Sequence, residues 1–355
     1  MQAEYFLSEA FGRGASDIYI VTGKPISFKI AGAIIPWNDE PLTPQSSLST
    51  LKDIYALAGN RDFTKLDGGD DDFAVAIANV GRFRVNAYRQ KGTHASIIRT
   101  IPISIPDPAK LNIPEVIVNL ANFTRGIVLF TGTTGSGKST SLACLIDKIN
   151  RERENHIITI EDPIEFQHSH KKSVVSQREL EADTHTYVTA LRAAMRQVPD
   201  VILVGEMRDY ETISSAITAA ETGHLVFSTL HTIGAAATID RIIDVFPPNQ
   251  QNQIRTQLSV TLQAVVSQQL LRTLEGKMTP AYEIMIVNSA IRNLIRENKT
   301  FQIENIIQTS VSSGMRTMDM SLYDLFRTRA ISKESALLYS VNPQVMASRL
   351  SGQAR

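Results

Sequence analysis

Residues 126–140 read Gly-Ile-Val-Leu-Phe-Thr-Gly-Thr-Thr-Gly-Ser-Gly-Lys-Ser-Thr, an apolar run followed by the pattern G-x-x-x-x-G-K-[S/T]. The run at 127–130 predicts a buried parallel strand, and a helix should begin near Lys138. The glycines let the backbone turn tightly, so that its N–H groups and the helix N-terminus converge on a phosphate. Strand, loop and helix in this order predict a nucleoside triphosphate site and argue against a glycine-rich turn that binds nothing.

Two side chains of this loop have specific expected roles. Lys138 is placed to reach the β- and γ-phosphates, and the Ser139 hydroxyl is placed to ligate Mg²⁺. The predicted nucleotide-binding residues are Gly132, Thr133, Thr134, Gly135, Ser136, Gly137, Lys138, Ser139 and Thr140.

Composition limits the class of protein. The 355 residues allow about two domains. Thirty-six basic residues balance thirty-six acidic ones, so net charge gives no case for nucleic-acid binding. A single cysteine, Cys144, excludes an intrachain disulfide and fits a reducing cytoplasm. No apolar run is long enough to span a bilayer and no signal peptide is evident, so we expect membrane association only through a partner.

Residues 1–100 predict a small α+β domain. Helical periodicity occurs near 5–11 and 48–57, and alternation predicts a hairpin from 70–77 and 82–88. Further strands are expected at 17–21, 26–30 and 95–100. Three prolines between 102 and 108 then predict an interdomain linker, which we place at 101–112.

Residues 113–355 form the predicted second domain. Apolar strands at 157–160, 201–204 and 225–229 alternate with helices, which predicts a parallel sheet with helices on both faces. After Thr232 the chain is expected to be mostly helical, with six apolar residues on one helical face. These residues are Ile254, Leu258, Leu262, Val265, Val266 and Leu270.

Polar groups follow three of the predicted strands. Glu161 and Asp162 follow the first, where a carboxylate can deprotonate a water in line with a γ-phosphate. Glu206 follows the second and can hold Mg²⁺ directly or through water. His231 follows the third, as a γ-phosphate sensor would, whereas His224 precedes that strand on the far side of the sheet.

Each of these residues also has an ordinary explanation. A Glu after a strand is usually a solvated turn residue or a helix cap, and a lone His is usually structural. Their co-occurrence after a phosphate loop favours the functional interpretation. The histidines at 94, 156, 168, 170 and 185 lack this context and are expected at the surface.

Phosphoryl transfer needs positive charge beyond Lys138 and Mg²⁺. Arg82 and Arg84 share one strand face by the period of two, and Arg99 lies on a nearby strand. We expect this first domain to supply arginine fingers to the nucleotide. The alternative is a basic rim on a β-ribbon.

With these motifs assembled, the sequence resembles the type II/IV secretion ATPases and, among them, the retraction motors of type IV pili. The resemblance is carried by the Walker A segment at 132–139, the Asp box at 157–166, the Walker B segment at 201–209 and the His box at 222–232. Residues 290–297 add the motif AIRNLIRE. One cysteine excludes the tetracysteine zinc site of the related extension motors.

The resemblance implies a fold and an activity. The fold is α/β, with a small PAS-like N-terminal domain, a RecA-like P-loop ATPase domain and a helical C-terminal region. The activity is that of a hexameric motor that hydrolyses ATP with Mg²⁺ to power pilus retraction and twitching motility. The residues that match the family's catalytic positions are Glu161, Glu206, His224, His231, Arg82 and Arg99, with Ser139 and Glu206 on the metal.

The resemblance also implies partners and a location. They are a homohexamer, the inner-membrane platform protein of the pilus and an accessory retraction ATPase, without nucleic acid or membrane insertion. The expected location is cytoplasmic, on the inner face of the cytoplasmic membrane. AIRNLIRE is either a coupling element needed for retraction or an ordinary packed amphipathic helix.

Some positions depart from the family pattern, and three rival functions remain. Tyr19 stands where a histidine is usual, Lys29 where an arginine is commoner, and Gln197-Val198 where two acidic residues are usual. Ile233-Gly234 replaces more polar residues. These changes leave open a divergent paralogue such as an accessory motor. The rivals are a secretion motor, a nucleic-acid translocase and a nucleotide-gated binding module without turnover.

Overall fold

The structure is a computed structural model that describes residues 2–101 and 104–352. The chain divides into two compact units, Met1–Ser104 with Glu165–Gln167, and Ile105–Ile164 with His168–Arg355. In the segment predicted as a linker, Ile101 still belongs to a strand and Pro108–Leu111 forms a 3₁₀ turn. Residues 102 and 103 of that segment lie outside the described residues.

The first unit is a six-stranded antiparallel sheet with two helices packed on one face. Its elements are α1 (Gln2–Gly12), β1 (Asp17–Ile20), β2 (Ser27–Ile30), β3 (Ala33–Pro36), α2 (Pro44–Leu57), β4 (Asp70–Ile77), β5 (Gly81–Gln90) and β6 (Thr93–Ile101). The strand order is β3-β2-β1-β6-β5-β4. The predicted hairpin is β4 and β5, with Phe83 and Val85 buried against the helices and Arg82 and Arg84 on the other face. Strand β3 was missed because all four of its residues are exposed and show no alternation.

The second unit is a seven-stranded sheet between two helical layers. Its elements are α3 (Glu115–Val118), β7 (Gly126–Thr131), α4 (Lys138–Glu152), β8 (His156–Glu161), β9 (Val174–Glu179), α5 (Tyr187–Ala194), β10 (Val201–Val204), α6 (Tyr210–Glu221), β11 (Leu225–Leu230), α7 (Ala235–Asp244), α8 (Pro248–Thr261), β12 (Leu262–Arg272), β13 (Met278–Ile286), α9 (Ser289–Arg296), α10 (Ile303–Thr309), α11 (Met318–Arg327), α12 (Lys333–Tyr339) and α13 (Pro343–Ser351). The order is β13-β12-β7-β11-β10-β8-β9, with β13 antiparallel to its neighbour and the rest parallel. The predicted α/β class is therefore confirmed.

One prediction for this unit was wrong. The apolar residues from Leu262 to Leu270 do not continue a helix, because α8 ends at Thr261 and β12 begins at the next residue. Positions 258, 262, 266 and 270 are four residues apart, and this spacing returns to the same face of both a helix and a strand. The run is also buried on consecutive residues from Ala264 to Ser267, as in a strand covered on both faces.

The strand register aligns the carboxyl ends of the central strands. Val204 of β10 pairs with Ile160 of β8 and with Ser228 of β11, and Leu230 of β11 pairs with Thr131 of β7. The residues that follow these strands therefore meet at one edge of the sheet, where parallel α/β sheets bind ligands. Within the described residues, no helix combines the length and apolar character needed to cross a bilayer.

Candidate functional site

The phosphate loop folds back on itself at the end of β7. Gly132 and Gly137 have φ values of 138° and 90°, a backbone conformation that side chains disfavour. The Lys138 amino group lies inside the loop and donates hydrogen bonds to the carbonyl oxygens of Gly132 at 2.8 Å and Thr133 at 2.9 Å. The buried Ser136 hydroxyl has no hydrogen-bond partner among the described residues. The loop thus carries donor groups that a phosphate can engage.

Gln268 of β12 packs directly against this loop. Its side-chain Oε1 accepts a hydrogen bond of 2.9 Å from the Ser141 hydroxyl. Its backbone oxygen lies 2.2 Å from where a Cβ on Gly132 would be, and its Nε2 lies 2.7 Å from the equivalent point on Gly137. Gln268 was not predicted, because this segment was expected to be helical. No local sequence pattern predicts that Gln268 lies beside the loop, because only the pairing of β12 with β7 brings it there.

Glu206 and His231 meet at the carboxyl edge. A Glu206 oxygen lies 3.1 Å from His231 Nε2, and the other accepts a hydrogen bond of 2.7 Å from Arg208. Burial raises the pKa of Glu206, but Arg208 and His231 outweigh it and hold this pKa below its usual value. Glu206 is therefore an ionised carboxylate near neutral pH and suits a divalent cation.

Glu161 is the last residue of β8, and two neighbouring side chains hold its carboxylate by hydrogen bonds. The Thr159 hydroxyl donates to Glu161 Oε1 at 2.6 Å, and the Gln177 amide donates to the same oxygen at 3.3 Å. Gln177 is paired with Thr159 across β8 and β9, and its own Oε1 accepts from the His168 backbone N–H at 2.7 Å. Neither Thr159 nor Gln177 was predicted. The role of Gln177 depends on the pairing of β9 with β8, whereas Thr159 lies two residues before Glu161 on β8 itself.

The strand ends that carry these carboxylates are joined by hydrogen bonds. The Gly205 N–H donates to the Ile160 carbonyl oxygen at 2.8 Å, and the Thr229 hydroxyl donates to the Gly205 carbonyl oxygen at 2.6 Å. The Met207 N–H donates to the Thr229 carbonyl oxygen at 3.1 Å. The edges that present Glu161, Glu206 and His231 therefore form one connected framework.

His224 does not join the other candidates. It precedes β11, and its Nδ1 hydrogen-bonds with the Ala219 carbonyl oxygen at 2.8 Å and lies 3.1 Å from the Thr222 hydroxyl. The six residues of β11 span about 20 Å, so His224 and His231 lie at opposite edges of the sheet. Gln197 and Val198 also precede a strand, β10, and so lie at the edge opposite the candidate site.

The prediction for His168 was wrong. It was expected at the surface, but it is buried, and burial lowers its pKa to about 4. A neutral imidazole is accommodated there because the loop packs back on α4. Asn150 of α4 donates to the Ser169 carbonyl oxygen at 2.7 Å, and Lys171 pairs with buried Asp147. The sequence shows no periodicity across this loop from which burial could be inferred.

Arg82 and Arg99 lie on the sheet of the first unit. Arg84 is the register partner of Arg99, so both project from the sheet face that also carries Arg82. Arg99 Nε donates to Asp17 at 3.1 Å, and the Lys29 ammonium lies 3.9 Å from Asp17. The predicted sharing of one face is confirmed. Their engagement of a nucleotide stays a prediction.

A cavity of about 210 Å³ opens beside the start of α4. Its lining includes Ile113, Gly137, Thr140, Leu270, Pro280 and Tyr282. Its lining mixes these apolar side chains with polar ones, namely Lys110, Asn112, Ser141 and Gln268. The cavity adjoins the phosphate loop, so one ligand can span both.

Comparisons with known proteins extend over most of the chain. The family model described as "Type II/IV secretion system protein" matches residues 2–299. The type IV pilus retractation ATPase PilT of Pseudomonas aeruginosa is 46% identical over 324 residues, which cover 91% of this chain and 94% of that protein. A twitching motility protein of Neisseria gonorrhoeae is 52% identical over 277 residues, covering 78% of this chain and 74% of its own. A crystal structure of the pilus retraction motor PilT with bound ADP superposes with a TM-score of 0.89 at 45% identity, covering 97% of this chain and 98% of the other.

Proposed function

Because the chain belongs to the type II/IV secretion system protein family, we propose that it is a motor ATPase whose ATP hydrolysis powers type IV pilus retraction. The observation that carries this proposal is the shared sheet edge. It brings the phosphate loop together with Glu161, Glu206 and His231. The PilT relative and the ADP-bound PilT structure support retraction as the work performed.

In this mechanism the phosphate loop holds ATP. Lys138 exchanges its hydrogen bonds to the loop carbonyls for the β- and γ-phosphates, and the Ser136 hydroxyl gains a phosphate oxygen as its partner. The cavity beside α4 is placed to take the adenine ring. Glu161 orients a water and takes its proton as the water attacks the γ-phosphate, while His231 reports on the γ-phosphate through Glu206.

The oxygen-bearing side chains at this site are suited to bind Mg²⁺. Ser139 and Glu206 supply the oxygen donors that this cation prefers, and one carboxylate with substrate phosphates and water is its usual arrangement. Accordingly, the described residues hold no cluster of three or more His, Cys, Asp or Glu side chains that could form a complete protein cage. When bound, Mg²⁺ neutralises charge on the phosphate oxygens.

The assembly is also part of the proposal. We place the chain in a homohexameric ring on the cytoplasmic face of the inner membrane, where it acts on the pilus platform protein. An accessory retraction ATPase is a further candidate partner. Within each subunit, residues 1–100 serve as a PAS-like domain, 101–112 as a linker and 113–355 as the RecA-like ATPase domain. The two compact units support this division.

We assign the arginine-finger role to Arg82 and Arg99, the exposed Arg99 being held ready by Asp17. Arg82→Ala or Arg99→Ala should lower kcat about 10³-fold, because transition-state charge loses its partner, while ATP affinity changes far less. Steady-state kinetics and nucleotide binding measure the two effects. Arg89→Ala, which removes an exposed arginine from the same strand as Arg82, is the control. Equal losses of binding and turnover would refute the finger role.

The AIRNLIRE helix, α9, contains two arginines with different surroundings. Arg292 Nη1 donates to the carbonyl oxygens of Ser259 at 2.7 Å and Val260 at 2.8 Å, so it caps the C-terminus of α8. Arg296 is exposed and reaches only Asn293, at 3.5 Å, among the described residues. Arg292 therefore has the structural role expected of an ordinary packed helix. We assign the coupling of ATP hydrolysis to retraction to Arg296.

Arg296→Ala should retain ATPase activity and thermal stability but lose pilus retraction. Arg292→Ala should instead lower the free energy of unfolding by about 1–2 kcal/mol, because two helix carbonyls lose a charged donor. Thermal melts, ATPase assays and twitching zones separate the two. Normal twitching with Arg296→Ala would show that α9 has no coupling role at this position.

The experiment that tests the function is a deletion strain complemented with wild type or Glu206→Ala. Abundant surface pili without twitching, rescued by wild type alone, is the expected result. Cells without surface pili would instead show that the protein is an assembly motor. Normal numbers of pili and normal twitching in the deletion strain would show that this protein is not the main retraction motor. An accessory paralogue or a secretion motor would then be the better assignment. Turnover stimulated by DNA would favour a translocase.

A further inference from the structure

The hydroxyl of Tyr187 lies at the gap between the two carboxylate-bearing strands. Tyr187 is the first residue of α5, whose N-terminus is capped by the Thr186 side chain. Its Oη lies 3.0 Å from where a Cβ on Gly205 would be, and that same point lies 3.3 Å from Glu161 Cα. Gly205 therefore makes room for the phenol beside the end of β8. It stands immediately before Glu206 in the chain.

The phenol ring is held while its hydroxyl is available. The ring packs against the hydrophobic core beneath α5, which limits its movement. No hydrogen bond joins the hydroxyl to any part of the chain that the structure describes. Three carboxylates, Asp162, Glu206 and Glu161, act on it electrostatically, and Arg208 opposes them. Tyr187 is half-buried, and a hydroxyl without a protein partner is suited to a ligand or a water.

A tyrosine hydroxyl is protonated at physiological pH, since its usual pKa is about 10, and its surroundings here raise that pKa further. Burial comes first, and the three carboxylates add to it, so the pKa of Tyr187 rises well above its usual value. The group is neutral at physiological pH and keeps its proton. It therefore serves as a hydrogen-bond donor and not as a base.

We propose that Tyr187 is a further catalytic residue, whose hydroxyl donates a hydrogen bond to the water that attacks the γ-phosphate. This inference rests on the proposed ATPase function. The water gives one proton to Glu161 and accepts a hydrogen bond from Tyr187 on one lone pair. Its other lone pair is thereby directed at phosphorus. The P–O bond to ADP breaks as the new one forms, and Tyr187 keeps its proton throughout.

Several of the nearby carboxylate oxygens already have protein partners. Glu161 Oε1 is already occupied by Thr159 and Gln177, and Glu206 by Arg208 and His231. The Glu161 carboxylate can only accept a hydrogen bond from such a water, so a hydrogen bond donated to the water must come from another group. Tyr187 is a neutral donor near the end of β8 that makes no hydrogen bond within the described residues, so it is free to donate to this water.

Tyr187→Phe tests the proposal because it removes one oxygen and keeps the ring. Its single-turnover rate of ATP hydrolysis should fall about tenfold, an effect typical of one lost hydrogen bond in a transition state. ATP affinity and melting temperature should remain at wild-type values. Single-turnover kinetics are used so that slow product release does not mask the chemical step.

Tyr210→Phe is the matched control. Tyr210 is likewise the first residue of the helix that follows a strand end, α6, but its hydroxyl donates to Gln250 at 3.0 Å. This variant should hydrolyse ATP at the wild-type rate. A wild-type rate in Tyr187→Phe, or an equal fall in ATP affinity and rate, would overturn the proposal. A wild-type protein without turnover would overturn the proposed function instead.

Discussion

Glu161→Gln is expected to slow ATP hydrolysis by about 10²–10⁴-fold, the range typical of losing a general base. Glutamine keeps the size of the side chain and an oxygen that Thr159 can still bond. It cannot accept a proton from water. ATP binding should be almost unchanged, because binding depends on the phosphate loop at the end of a different strand.

The measurement is a pair of experiments, single-turnover hydrolysis and equilibrium binding of ATP. Glu165→Gln provides the control, since this exposed carboxylate lies four residues further along the same segment. Wild-type hydrolysis by Glu161→Gln would mean that Glu161 is not the base. Asp162→Asn would then be the next variant to measure, because Asp162 is the adjacent carboxylate.

Gly132→Ala is expected to weaken nucleotide binding by about 10²-fold, equivalent to about 3 kcal/mol, which is the order of the strain of one residue in a disfavoured backbone conformation. An added Cβ would lie 2.2 Å from the Gln268 backbone oxygen and 2.8 Å from the Ser136 hydroxyl. Both β7 and β12 are central strands, so neither backbone can yield without disturbing the sheet. The φ of 138° adds strain for any residue with a side chain.

Gly135→Ala distinguishes the close approach from general loop strain. Gly135 also has a positive φ, 78°, but no atom lies within 4 Å of where its Cβ would be. It should therefore bind ATP more tightly than Gly132→Ala. Calorimetric titration and circular dichroism measure binding and folding of both. If the two variants lose the same affinity, contact with Gln268 does not shape the loop.

Much of the fold follows from local pattern. The strands at β7, β8, β10 and β11 are short apolar runs, and each was predicted within one or two residues. The antiparallel hairpin of the first unit was predicted from alternation, because one face is buried and the other is not. Strands β9, β12 and β13 were missed, β13 because the chain after Thr232 was expected to be mostly helical. β9 is a polar edge strand, and the spacing of four residues in β12 suits a helix equally well.

Some residues of the candidate site were likewise predicted from local sequence patterns, and others were not. The phosphate loop was predicted because strand, turn and helix follow one another in the chain, so their geometry depends on neighbouring residues. The positions of Glu161, Glu206 and His231 at one edge were predicted because parallel strands end together. Their partners Thr159 and Gln177 were not, although Thr159 lies two residues from Glu161.

By itself the sequence determined which residues can carry the chemistry, since a phosphate loop and polar strand ends are patterns of adjacent residues. Only the tertiary structure decided which distant residues complete them. Gln268 reaches the loop because β12 lies beside β7, and Tyr187 reaches Gly205 because α5 packs at the ends of β8 and β10. Arg292 caps α8 for the same kind of reason. Strand order and helix packing depend on burial summed over the whole unit, and no local periodicity records that sum.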